Sequence, residues 1–180
     1  MPIACAALAA CSHNPAPPIA PPPAVVITLC STGATAGLAL CALLAKMDEP
    51  APLAGGTRVL IAPAGQPALA IRVVGTTMTV KRLDRGKLDL TRSFELSDKE
   101  RRALADAGAA WSTLPPNADG PVPCKTASYV AAETGAGADY KFSVAQCVAL
   151  KPLRDLADAY LAIATEKVPE LKQGLEQSLD

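Results

Sequence analysis

The chain has 180 residues and no formal net charge, since its 17 basic side chains balance 17 acidic ones. Nucleic-acid-binding domains usually show a basic excess and aromatic residues for stacking, so the neutral charge and an aromatic content of 3% argue against a nucleic-acid partner. The single histidine, His13, lies beside a proline-rich stretch, which argues against a catalytic imidazole and against zinc sites built on several histidines.

The first 23 residues have the organisation of an export signal followed by a tether. A small-apolar run at 3–10 ends in Leu-Ala-Ala-Cys at 8–11, and a proline-rich stretch follows at 15–23. The tetrapeptide resembles the lipobox of bacterial lipoproteins, in which the cysteine is lipidated and becomes the new N-terminus. The resemblance implies that 1–10 are a signal peptide and that Cys11 carries the lipid anchor. Residues 11–23 would then form an extended tether, at about 3.1 Å per residue.

The same resemblance implies a location. The expected place is the periplasmic face of the cell envelope, and Ser12 after the cysteine, where a retained lipoprotein has Asp, favours the outer membrane. Because no Lys or Arg precedes Cys11 and the apolar run is short for a signal peptide, we expect a basic segment upstream of Met1. The alternative is an alanine-rich start that contains a cysteine by chance.

The remaining cysteines are predicted to form disulfides. If Cys5 leaves with the signal and Cys11 is lipidated, four stay in an oxidising compartment, where an even number favours pairing. These four are Cys30, Cys41, Cys124 and Cys147. We favour the pair Cys124–Cys147 because it brackets a predicted hairpin, which leaves Cys30–Cys41 as the second pair. A metal site is disfavoured because no two cysteines have the C-x-x-C spacing.

Residues 24–45 contain no charge and are numerous enough to cross a bilayer. They also contain Ser, Thr and Gly, and they begin with the β-branched run Val25–Thr28. This pattern predicts a short strand, a turn, and then an apolar helix or second strand at Leu38–Met47. A transmembrane segment stays open as the alternative.

Four strand patterns follow at 57–62, 68–74, 76–83 and 88–96, separated by turn residues. A tight turn at 84–87 joins the last two, and the whole reads as an antiparallel meander. The period of two in the fourth strand predicts one shared face for a set of apolar side chains. This set is Leu88, Leu90, Phe94 and Leu96.

The second half of the chain alternates helix and hairpin patterns. A capping box at Ser97–Glu100 predicts a helix whose buried stripe includes Leu104 and Trp111. Strands at 128–133 and 140–147 surround a glycine turn at 135–137, and further helices begin at Pro152 and Pro169. This order predicts a single α+β domain at 24–180: an antiparallel sheet, made of the meander and the disulfide-bracketed hairpin, with helices packed on one face.

Few residues suggest a binding or catalytic site. The cations Arg82, Arg85 and Lys87 of the charged hairpin form a possible partner surface, although charged turns are usually solvated and protect sheet edges. No glycine pattern, carboxylate pair or metal-ligand cluster is evident, so no catalytic, cofactor or metal residue is expected. Arg92 is expected among apolar neighbours at the sheet edge.

The expected function is therefore a non-catalytic cell-envelope domain that binds a protein or a small ligand, as an inhibitor or an assembly accessory. Its lipid anchor would attach it to the membrane, and its surface would bind an envelope protein. The alternative function is an envelope hydrolase with a carboxylate or Ser-Lys site.

Overall fold

The computed structural model describes residues 28–30, 35–51, 53–115, 119–120, 128–147 and 150–172. Within these ranges the α+β prediction is confirmed. The helices are α1 (Thr35–Lys46), α2 (Asp98–Ser112) and α3 (Lys151–Lys167). The strands are β1 (Thr57–Ala62), β2 (Ala68–Val74), β3 (Thr77–Asp84), β4 (Lys87–Glu95), β5 (Asp119–Gly120), β6 (Tyr129–Thr134) and β7 (Lys141–Gln146).

All seven strands form one sheet in the order β4-β3-β2-β1-β6-β7-β5. The meander β1–β4 and the hairpin β6–β7 are both antiparallel, as predicted, and β6 joins the meander by pairing with β1. The two-residue β5 adds a parallel edge beside β7. It is too short to have left a hydrophobic pattern.

The turn between β3 and β4 follows the prediction from its residues. Arg85 and Gly86 both have a positive φ, of 48° and 78°. Two consecutive residues of this kind define the hairpin turn whose twist matches that of the flanking strands.

The two faces of the sheet carry separate apolar clusters. The front face buries Val59, Ile61, Leu69 and Ile71 against α2 and α3, the helices expected to share a face. The rear face buries the alternate residues Leu60, Ala68, Ala70 and Ala131 against α1. The prediction that the helices pack on one face therefore holds for α2 and α3, whereas α1 covers the rear face.

The prediction for Leu88 was wrong. A register shift between Arg82 and Leu83 makes Leu90 pair with Arg82 but Leu88 pair with Leu83, with Asp89 as the extra residue. A bulge of this kind reverses the alternation of side chains beyond it. Leu88 consequently leaves the front face and is 41% exposed.

Both front-face helices begin as the sequence predicts. The Ser97 hydroxyl accepts from the backbone N–H of Glu100, whose carboxylate accepts in return from the backbone N–H of Ser97 at 2.6 Å. Pro152 occupies the first turn of α3, where its missing N–H costs no helical hydrogen bond. The Glu100 carboxylate also lies 3.1 Å from Lys167 Nζ, which ties the start of α2 to the end of α3.

Candidate functional site

The predicted anchor and disulfides fall partly outside the described residues. Cys30 and Cys41 form a disulfide, as predicted. Cys147 is also disulfide-bonded, whereas Cys124, its predicted partner, lies outside the described residues. Cys11, the predicted lipidation site, lies outside them too.

The hairpin cations differ in their contacts. Arg82 donates to both carboxylate oxygens of Asp89 and, at 2.8 Å, to the backbone carbonyl of Glu170. Arg85 and Lys87 are exposed beside the turn and form no ion pair with another described residue. Arg82 thus fastens the turn at Pro169–Leu171 to the sheet. The partner surface at Arg82, Arg85 and Lys87 stays a prediction.

Arg92 was predicted to lie among apolar residues at the sheet edge. It lies on the front face, because its cross-strand partner is the buried Val80. Its side chain reaches outward, is 56% exposed, and lies 3.4 Å from the Glu170 carboxylate. Arg82 and Arg92 therefore stabilise the same segment of the chain.

A groove of about 440 Å³ opens on the front face between α2 and the end of the sheet. We call it the front groove. Its apolar lining includes Val73, Leu96, Leu104, Trp111 and Leu156. This volume lies in the range of small-molecule sites, which are concave and mostly apolar with a few polar groups.

Gly108 of α2 faces the open space of the groove. It lies inside α2, where glycine is about 1 kcal/mol less favourable than alanine. A Cβ built on Gly108 would meet no atom within 4 Å. The residue lines the groove, so the chain keeps empty space at a position where alanine would fit and would favour the helix.

Polar groups line one end of the front groove. Val73, Thr57, Thr134 and Lys141 are cross-strand partners in a row through β2, β1, β6 and β7. The Thr57 and Thr134 hydroxyls are 2.9 Å apart, and Thr134 also donates to the Gly56 carbonyl at 2.9 Å.

Tyr160 of α3 lines the same groove. Burial raises the pKa of its hydroxyl to about 12, and the neighbouring Thr57 hydroxyl partly offsets this. Tyr160 is therefore neutral at physiological pH, so it can donate a hydrogen bond as well as accept one.

Lys141 holds the end of α2. Its Nζ donates to the carbonyls of Ser112, Leu114 and Trp111, at 2.6, 2.8 and 3.5 Å, and lies 5.1 Å from the centre of the Trp111 ring. A cation at this place complements the partial negative charge of a helix C-terminus. Burial lowers the pKa of the Lys141 ammonium group.

Trp111 is a core residue, as predicted, and is 3% exposed. Its indole N–H donates at 3.1 Å to the hydroxyl of Ser143, which is fully buried. Ser143 and Lys141 share a strand and a face, but this serine is inaccessible and this lysine donates to carbonyls. The pair therefore does not resemble a Ser-Lys nucleophile and its base.

The rear face carries a buried charge network that sequence reasoning missed. Arg58 of β1 has no exposed surface. Its Nε, at 2.7 Å, and its Nη2 both donate to the same carboxylate oxygen of Glu133. Its Nη1 donates to Glu49 at 3.1 Å and to the Pro50 carbonyl at 2.7 Å. The missed signal is a charged residue within each of two buried strand patterns.

Two further cations and a tyrosine complete this network. Lys81 and Arg72 lie 3.0 and 3.5 Å from the Glu49 carboxylate. Tyr140 donates to Glu133 at 2.6 Å and accepts from the backbone N–H of Leu29 at 3.2 Å. Burial, together with the Glu133 carboxylate, raises the pKa of Tyr140.

Within the part of the chain that the structure describes, His, Cys, Asp and Glu side chains form no group of three that could hold a metal ion. No helix there has the length and apolar character needed to cross a membrane.

No known protein family matches the chain, and no curated protein or solved structure is significantly similar to it.

Proposed function

We propose that this chain is a non-catalytic lipoprotein domain of the cell envelope that binds a small, largely apolar ligand in the front groove. Cys11 would anchor it to the membrane, on the periplasmic face and in the outer membrane, through the proline-rich tether. The observation that carries the binding proposal is the open groove of about 440 Å³ with Gly108 in its wall.

The composition of the front groove supports a ligand of this kind. Apolar walls supply most of the binding free energy, at about 25 cal/mol per Å² of apolar surface buried. The Thr57, Thr134 and Tyr160 hydroxyls add a few polar groups to this lining. Sites of small ligands combine these two elements.

A disulfide in the described chain agrees with an oxidising compartment, which supports the envelope location. The alternative function, an envelope hydrolase, has less support, because Ser143 is buried and Lys141 donates to backbone carbonyls.

The test uses Trp111, the one tryptophan of the chain, as a reporter inside the groove. Its fluorescence and isothermal titration calorimetry would follow binding of two ten-carbon probes, decanol and decanoate. We expect saturable binding of at least one probe. Gly108→Leu should abolish it by filling the groove, and Gly108→Ala should weaken it less.

The controls separate filling of the groove from damage to the fold. Gly108→Leu replaces a poor helix former with a good one, so its melting temperature should not fall. Ala103→Leu adds the same side chain to an exposed position of α2 outside the groove and should leave binding unchanged. The proposal is wrong if neither probe binds, or if Gly108→Leu binds as tightly as the natural chain.

A further inference from the structure

The charges of the front groove are of one sign. Among the lining residues that the structure describes, Arg101 and Lys141 are the charged ones, and no Asp or Glu lines the groove. A groove with this lining attracts an anion and disfavours a cation.

The two cations differ in their partners. Arg101 forms an ion pair with Asp98 on the exposed side of α2. Lys141 forms no ion pair with any described carboxylate, and its donors reach backbone carbonyls instead. The ammonium charge is therefore balanced only by the partial charge at the end of α2, equivalent to about half an elementary charge.

The surroundings of Lys141 suit a small anionic group. Lys141 is the cross-strand partner of Thr134, which is the cross-strand partner of Thr57. The row places the Lys141 ammonium group at one end of the front groove, with Tyr160 in the same lining. The Thr134 hydroxyl donates to the Gly56 carbonyl and accepts from Thr57, so the ammonium group is the part of this row that attracts an anion. The other lining side chains near the helices are mainly apolar, including Leu104 and Leu156.

We propose that the ligand of the front groove is an anionic amphiphile, whose single negatively charged head lies beside Lys141 and whose apolar body lies against Leu104 and Leu156. This inference rests on the proposed function and adds the chemical class of the ligand. Lys141 then has two roles, since it holds the end of α2 and attracts the head group.

The test compares decanoate with decanol, which have the same chain length and differ in charge when the carboxylate is ionised. Binding to the full folded domain would be measured by Trp111 fluorescence and calorimetry. We expect decanoate to bind about tenfold more tightly, the factor that corresponds to about 1.4 kcal/mol. Lys141→Met should remove the preference, because it lowers decanoate affinity more than decanol affinity, whereas Lys141→Arg should keep the preference.

Salt dependence provides a measurement on the natural chain, in case Lys141→Met does not fold. Raising the salt from about 0.1 M to about 1 M shortens the Debye length from about 10 to about 3 Å. This should weaken decanoate binding relative to decanol binding. Lys151→Met, an exposed lysine outside the groove, is the matched control and should change neither affinity.

The outcomes distinguish the two proposals. Equal affinity for both probes, or equal loss of both in Lys141→Met, would overturn the anionic ligand and leave the binding groove standing. Binding of neither probe would overturn the groove itself.

Discussion

The two faces of the sheet are built in opposite ways. On the rear face, α1 is fastened by the Cys30–Cys41 disulfide, by apolar contacts of Leu44, and by the Glu49 carboxylate among three cations. On the front face, α2 and α3 also cover an apolar cluster, but the front groove stays open between α2 and the sheet. The rear face is therefore filled and cross-linked, whereas the front face keeps an open groove, where we propose that a ligand binds.

On the proposed function, the two faces have separate roles. The rear face stabilises the sheet, whose strands in turn fix the row of Thr57, Thr134 and Lys141. Sites on rigid elements keep their geometry better than sites on loops. Changes on the rear face should therefore alter stability, and changes in the groove should alter binding.

The largest expected effect is on the rear face. Arg58→Ala leaves the Glu49 and Glu133 carboxylates buried without their common partner, and breaking a buried ion pair costs about 3 to 5 kcal/mol. Urea denaturation would measure the free energy of unfolding of both variants. Arg85→Ala, at the exposed turn, is the matched control and should change the free energy by less than about 0.5 kcal/mol. Similar losses for both variants would contradict a stabilising role for the network.

The second effect concerns the disulfide. Replacing both Cys30 and Cys41 by alanine should lower the free energy of unfolding by about 3 kcal/mol, given a sequence separation of 11. Where the variant is still folded, decanoate affinity should match that of the natural chain. A parallel loss of affinity would mean that the two faces are coupled, and the division of roles would be wrong.

The smallest effect is at the start of α2, on the front face. Ser97→Ala removes the cap hydroxyl and should cost about 1 kcal/mol, measured by thermal or urea unfolding. Thr113→Ala, at the other end of α2, is a useful comparison because the Thr113 hydroxyl donates to the Ala110 carbonyl and does not cap the first turn. A cost for Ser97→Ala no larger than that for Thr113→Ala would contradict the capping role.

The same cap makes stability depend on pH. The Ser97 hydroxyl and backbone N–H, with help from Lys167, lower the pKa of Glu100 from 4.5 to about 2. A lowered pKa in the folded state means that this stabilisation is present above pH 4.5 and is lost as the pH falls towards 2. Ser97→Ala should therefore reduce the change in the free energy of unfolding between pH 4.5 and pH 2.

The local elements could be predicted from the sequence because their signals are local. The meander, the capping box at Ser97, and the helix beginning near Pro152 each depend on residues within a few positions of one another. The face of Leu88 could not be predicted, since the bulge arises where Asp89 binds Arg82 across two strands.

The candidate site was less predictable than the fold. The ion pair of Arg58 with Glu133 joins residues 75 positions apart, and neither strand pattern indicates which residue is the partner. The front groove needs Gly108, Lys141 and Tyr160 to meet from three elements, although each residue alone has an ordinary structural explanation.

The most direct test is to find which face the ligand contacts. Nuclear Overhauser contacts between bound decanoate and methyl-labelled protein would locate its chain. We expect contacts with the Leu104 and Leu156 methyl groups and with the Trp111 ring, and none with Leu38, which is 59% exposed on α1. Contacts with Leu38 in place of Leu104 and Leu156 would place the ligand on the rear face and contradict the account.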